Sequence, residues 1–342
     1  MTRKTLVISL LISVFLLGLN SNSYAVGEQE DNTSFIMHHV KDSHEWHFAT
    51  FGDTHLTLSL PVIIYSGDRG LEFFSSTNFQ NHETHLFGEE YSYEGYFIDK
   101  DDHLGRLDKG SFLEFSVTKN VVMLFIVLIV VGWFALSAAS FYKKNGAVAP
   151  KGAAAIIEPI LIFVRDDIAK NSIGPQYKRF VPYLMTLFLF VWFGNLLGLI
   201  PGAANMTGNI AVTLVLAVLT FIITNVNGNK EYWKHVFMTP GVPPLMLLII
   251  VPVEIIGLFT KPFALMVRLF VAITAGHIVI LGFIALAFIF ESIYIGIAST
   301  LMVTFINIIE LLVATIQAYV FTLFSAMYIG SAVAEHAHDD HT

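Results

Sequence analysis

Five long apolar stretches limit what this chain can fold into. They fall at about 121–141, 180–200, 210–226, 243–290 and 292–334, and a helix needs roughly 20 apolar residues to cross the hydrocarbon of a bilayer. The expected fold is an all-α polytopic membrane protein with about five transmembrane helices. The last two stretches are long enough to tilt and extend beyond the hydrocarbon, as two long helices reversing near Glu291-Ser292. Composition agrees, since 55% of the 342 residues are hydrophobic and 13% are charged, against roughly 25% charged in a soluble domain.

A processing signal precedes the first stretch. Arg3 and Lys4 make a basic start, Leu6–Leu19 an apolar run and Ser23-Tyr24-Ala25 a small-x-small end, the pattern of a secretory signal peptide over residues 1–25. An uncleaved anchor is the alternative, and either form sends residues 26–118 to the extracytoplasmic side. That region is acidic, because residues 28–110 hold 16 Asp and Glu against 5 Lys and Arg. Such a surface argues against a nucleic-acid partner. Alternating runs such as Val62-Ile63-Ile64-Tyr65, with turns at Gly67-Asp68 and Asp101-Asp102, point to a small extramembrane region with some β structure. Its histidines include His38, His39, His44 and His47, a spacing open to a transition metal. A hydrophilic histidine-rich surface is the preferred reading, because no fixed scaffold for ligands is visible. The chain has no cysteine, so a disulfide framework and a thiolate metal site are both unavailable. Neither metal nor cofactor is expected.

Basic flanks set the orientation of the membrane domain, residues 119–334. Lys143, Lys144 and Lys151 follow the first mature span and mark the cytoplasmic side. Residues 151–175 set Glu158, Arg165, Asp166, Asp167 and Lys170 around an apolar stripe, the pattern of an interfacial amphipathic helix. The later spans alternate direction, which leaves the tail 335–342 in the cytoplasm.

The fourth stretch carries charges where lipid would exclude them. Glu254, Lys261 and Arg268 stand seven apart, and at 3.6 residues per turn they form one stripe along roughly 21 Å of helix. His277 lies nine residues beyond Arg268 and projects from about the opposite face. The fifth stretch adds a second stripe of Asn307, Glu310 and Gln317. A charge at the centre of a span costs about 2.5–3.5 kcal/mol on insertion scales, so such groups usually face a protein interior or a water-filled path. Arginine keeps its proton in essentially any site, which makes it a poor relay and a durable electrostatic barrier. Glutamate and histidine titrate when burial and neighbours shift them. A channel that moves protons through His277 and Glu310 while Arg268 blocks direct passage uses each side chain for what it can do. The competing reading is structural, with Lys261 snorkelling, Glu254 paired to it and Arg268 held by Glu310.

The motifs Pro252-Val253-Glu254, Lys261-Pro262 and Arg268-Leu269-Phe270 follow Asn195-Leu196-Leu197-Gly198-Leu199-Ile200-Pro201, and Gln317-Ala318-Tyr319-Val320-Phe321 begins seven residues after Glu310. In this order they resemble subunit a of the membrane sector of F-type ATP synthases, over roughly residues 115–334. The resemblance implies a stator subunit, not itself an enzyme, that forms two proton half-channels against a rotating c-ring with membrane-embedded carboxylates. It implies b-type peripheral stalk subunits, the soluble ATPase sector and the lipid bilayer as partners. The implied location is the bacterial cell inner membrane, with the mature N-terminus periplasmic. Carried onto matching positions, Arg268 faces the ring and separates the half-channels, and Gln317 supports it by polar contacts. His277 and Glu310 belong to the outer half-channel, in the order found in mitochondrial members, and Glu254 to the inner one. Asn195 is structural or path-lining, and Lys261 and Asn307 give polar support. Val271-Ala272-Ile273 stands where many members have a glycine and an asparagine, so no role passes to that asparagine. An ion-coupled secondary transporter is the alternative function, and it would be expected to show related halves. No internal repeat is visible.

Overall fold

The computed structural model describes residues 42–51, 54–80, 87–88, 90–99, 102–146, 148–200, 202–238, 243–290 and 292–334. The segment read as a signal peptide, 1–25, and His38, His39 and the tail 335–342 lie outside the described residues. The chain divides into two compact units. One holds Ser43–Val117 with Ile200–Ala203, and the other holds Val40–Asp42, Thr118–Leu199 and the chain from Ala204 onward.

The first unit is built of short antiparallel strands. β1 (Glu45–Phe51) pairs with β2 (Thr54–Ser59). β3 (Pro61–Ser66) lies between β4 (Gly70–Ser75) and β7 (Phe112–Glu114), while β5 (Tyr96–Ile98) pairs with β6 (Leu104–Arg106). Period-two alternation turns Val62, Ile64 and Ser66 of β3 inward and Pro61 and Tyr65 outward. The inward residues join Phe79, Phe87, Tyr96 and Ile98 in a small core. Tyr96 is fully buried and donates its hydroxyl proton to Glu72 Oε2 at 2.8 Å. A clamp closes one side of this core. Arg106, itself buried, donates to Asp68 Oδ1 at 2.9 Å and also to Asp68 Oδ2, and its Nε lies 2.6 Å from Asp108.

His44 corrects the expectation of a histidine-rich surface. It is 3% exposed, with Nε2 at 2.7 Å from Glu114 Oε1. Among the described residues no group of three or more metal-ligating side chains comes together. In the same unit Trp46 Nε1–H donates to the Gly202 carbonyl at 2.7 Å.

The second unit is helical. α1 (Lys119–Asn145) begins where Asp42 accepts from the Thr118 hydroxyl at 2.8 Å and from the Asn120 amide at 3.2 Å, placing a carboxylate at the positive end of the helix. It ends at Gly146, whose φ of 69° no β-carbon opposes. α2 (Ala153–Ile162) passes into a π-helical segment, Phe163–Lys170, then short turns, then α3 (Tyr177–Gly198). The segment read as an interfacial helix is therefore helical, but it runs into α3 as one apolar stretch, Ala153–Gly198. α4 (Ile210–Val226) is capped by Asn209. α5 (Lys230–Phe237) is capped by Asn229 and bends 104° away from α4. None of the five apolar stretches of the sequence includes this segment.

α6 (Pro244–Ile289) and α7 (Ile293–Val333) are 46 and 41 residues long. Among the described residues four helices are long and apolar enough to cross a membrane, or five with the bent α4–α5 pair counted as one span. The expected fold class and its two long helices stand. At Gly330 of α7 an added β-carbon would meet the Ser172 carbonyl oxygen at 2.0 Å, so only glycine permits this close approach.

Candidate functional site

Three contacts fix how α6 and α7 run past each other. His277 Nδ1 lies 2.8 Å from Glu310 Oε1, the Arg268 guanidinium sits 4.3 Å from the centre of the Phe324 ring, and Lys261 Nζ lies 5.7 Å from that of Tyr328. Rising numbers on α6 meet falling numbers on α7, so the helices are antiparallel and His277 and Arg268 occupy different levels.

Glu310 is buried, its side chain 2% exposed and that of His277 18%. The carboxyl group rests on Gly276, where an added β-carbon would come within 2.9 Å of Oε1. One carboxyl oxygen therefore touches imidazole. The other, Oε2, has no partner among the described residues, and neither do the buried hydroxyls of Thr274 and Ser299. Unsatisfied buried oxygens on facing helices are places for water. An acid in contact with an imidazole can pass a proton either way, depending on which nitrogen carries the hydrogen.

Arg268 contrasts with this pair. It is exposed, and among the described residues no carboxylate lies within salt-bridge distance of it; Glu310 is bonded to His277 instead. The structural reading in which Glu310 holds Arg268 is thereby removed. Lys261 is likewise on an aromatic ring rather than on Glu254. Glu254 is half-buried, within electrostatic reach of Tyr232 on α5. Gln317 is half-buried and Asn307 exposed, and neither makes a side-chain hydrogen bond among the described residues. Asn195 of α3 is 2% exposed and fully engaged, donating to the Ala314 carbonyl at 3.2 Å and accepting from Thr207 at 2.7 Å.

Two cavities flank these residues. One of about 10 Å³ is lined by Thr224, Asn225, Tyr232, Lys261 and Tyr328, room for about one water. The other, about 550 Å³, lies between the facing ends of α6 and α7, where Phe283, Phe290, Tyr294, Ser299 and Met302 line it. Sequence reading missed Gly276, Ser299, Phe324 and Tyr328. Ser299 was within reach of helical arithmetic, since eleven residues before Glu310 returns to the same face within about 20°. Phe324 was not, because an aromatic residue in an apolar helix carries no mark of a cation above it.

Fold and site define a polytopic helical membrane protein with a buried acid–histidine contact and an unpaired cation on one pair of long helices. The family model described as ATP synthase A chain matches residues 121–330, and the chain belongs to that family. Residues 35–123 match a second model, described only as a domain of unknown function. The chain is 44% identical over 257 residues to ATP synthase subunit a of Chloroherpeton thalassium, covering 74% of this chain and 76% of the relative. It is 37% identical over 325 residues to ATP synthase subunit a of Chlorobium phaeobacteroides, covering 93% and 80%. With subunit a of an Anaeromyxobacter species it shares 39% identity over 332 residues, covering 92% and 74%. It is a multi-pass component of the membrane sector of an ATP synthase.

Proposed function

We propose that this chain is the stator side of a rotary proton path. With a c-ring whose helices carry membrane-embedded carboxyl groups, it forms two proton half-channels and couples proton flow to rotation and to ATP synthesis in the soluble sector. The observation that carries this reading is the contrast on one helix between His277, in contact with buried Glu310, and Arg268, exposed and without a carboxylate.

Each side chain has a task. Glu310 and His277 take up a proton on the outer side and hand it to a ring carboxylate, with Ser299 on their approach. Arg268 pairs with a ring carboxylate that has lost its proton. Because it never gives up its own, it keeps the outer and inner routes apart. Glu254 serves the inner route, with Lys261 at its edge. Gln317 orients Arg268, Asn307 adds polarity to the outer stripe, and Asn195 holds α3 to α7. Residues 1–25 direct the chain to the bacterial inner membrane with the mature N-terminus periplasmic and the C-terminus cytoplasmic. There the b-type stalk subunits hold it against the ring.

ATP-driven proton pumping by the reconstituted holoenzyme tests the relay. With Glu310→Gln or His277→Ala the rate is expected to fall at least about a hundredfold at unchanged assembly, the low end of what a positioned acid or base contributes. Normal pumping in both single variants would reject the assignment.

A further inference from the structure

The β unit presents an apolar face that its own core does not use. On the outer side of the β4-β3-β7 sheet, Tyr65 stands opposite both Leu71 and Leu113, and Ile63 opposite Phe73. Phe115 continues the row, its amide bonded to the Ile63 carbonyl at 2.8 Å. Tyr65 is 48% exposed, Leu71 55%, Phe73 65%, and Leu113 and Phe115 59% each. Together these side chains expose on the order of 500 Å², the size of patch that on a soluble protein marks an interaction site.

Two chain connections limit what can cover it. Phe115 stands four positions before Lys119, where α1 begins as a candidate span, and four residue steps reach at most about 14 Å. The same unit takes in Ile200–Ala203, directly after the end of α3, and holds that loop through the bond from Trp46 to the Gly202 carbonyl. Both connections tether the unit to the ends of candidate membrane spans. The sheet face is rich in Phe, Leu and Tyr, the residue types that favour the boundary between headgroups and acyl chains, while the segment around it is strongly acidic.

We infer that this face rests in the outer bilayer interface and binds lipid by apolar insertion rather than by attraction to headgroup charge. The inference gives a task to a region whose family match carries none, and it does not depend on the proton-path reading.

The cysteine-free chain makes the test direct. Single cysteines replacing Phe73 or Leu113 on the face, and Glu90 outside it, are labelled with nitroxide in holoenzyme reconstituted into phosphatidylcholine vesicles, after subtraction of the signal from the native chain. Collision with dissolved oxygen reports lipid, and collision with a water-soluble nickel chelate reports solvent. The face labels are expected to favour oxygen severalfold over the Glu90 label, with no change when anionic phosphatidylglycerol is added. Nickel access equal to that at Glu90 would put the face in water and overturn the inference. Shielding from both reagents would mean protein covers it, a second copy or another subunit, and would overturn it equally.

Discussion

Each unit contains an arginine beside an aromatic ring and a histidine touching a glutamate, yet the two sets are arranged differently. In the β unit Arg106 is buried and held by Asp68 and Asp108, with Tyr96 beneath it, and His44–Glu114 joins residues 70 positions apart. In the helical unit, among the described residues, Arg268 meets Phe324 and no carboxylate. Glu310 leaves one oxygen without a hydrogen bond there, as His44 leaves Nδ1, so the difference lies in the arginines. The one that stabilises a fold has its carboxylates within it. Charges left over inside a membrane domain, where they cost the most, are available to groups that pass by.

The comparison sharpens if groups that tie distant parts of a fold together affect stability and those around the unpaired arginine affect transport. Asn195→Leu leaves the Ala314 carbonyl and the Thr207 hydroxyl short of a partner. It is expected to destabilise the helical unit by about 3 kcal/mol, read as a lower denaturation midpoint in detergent. Arg106→Ala is expected to destabilise the β unit, seen as lost hydrogen-exchange protection at Val62 and Ile64, with pumping unchanged. A loss of pumping with protection intact would break the comparison. Gly276→Ala pushes a methyl group at the Glu310 carboxyl. Pumping is expected to slow on the order of tenfold, a difference of about 1.4 kcal/mol, without a change in folding.

Acid should separate the two units more gently. The hydrogen bond from Arg106 holds the Asp68 carboxyl well below the usual range. Burial pushes Glu114 up, but the hydrogen bond and charge of His44, with the Ser116 hydroxyl and the charge of His103, together outweigh it and the net direction is down. A carboxylate with a depressed folded value stabilises the fold above the ordinary value and loses that contribution as pH falls through the folded one. Exchange protection of β3 and β7 should therefore decline below about pH 4, and more steeply than in the D68N variant, which lacks the titrating group. An identical decline in both would deny Asp68 this role.

Much of this was legible in the sequence. Apolar length alone located α1, α3, α4, α6 and α7, because a helix that must satisfy its own backbone in lipid declares itself by composition. α5 escaped because Lys230–Phe237 is short and polar and depends on its Asn229 cap. The π-helical segment after Ile162 escaped because one extra residue per turn leaves no compositional trace. Of the site, the charges on α6 and α7 could be read, whereas both His277 and Arg268 reach α7, which the opposite-face arithmetic did not anticipate. What Arg268 rests on, the seat of Glu310 on Gly276 and the partner of His44 could not be read, since each depends on a contact between distant segments.

The proposal that Arg268 is the barrier between two proton routes is tested most directly by Arg268→Ala in vesicles. ATP-driven pumping is measured with the soluble sector attached, and passive proton flux after it is stripped. Coupled pumping is expected to vanish while assembly and passive flux persist, because protons then cross without turning the ring. Pumping at the native rate, with incorporation of the variant verified, would contradict the role given to this arginine.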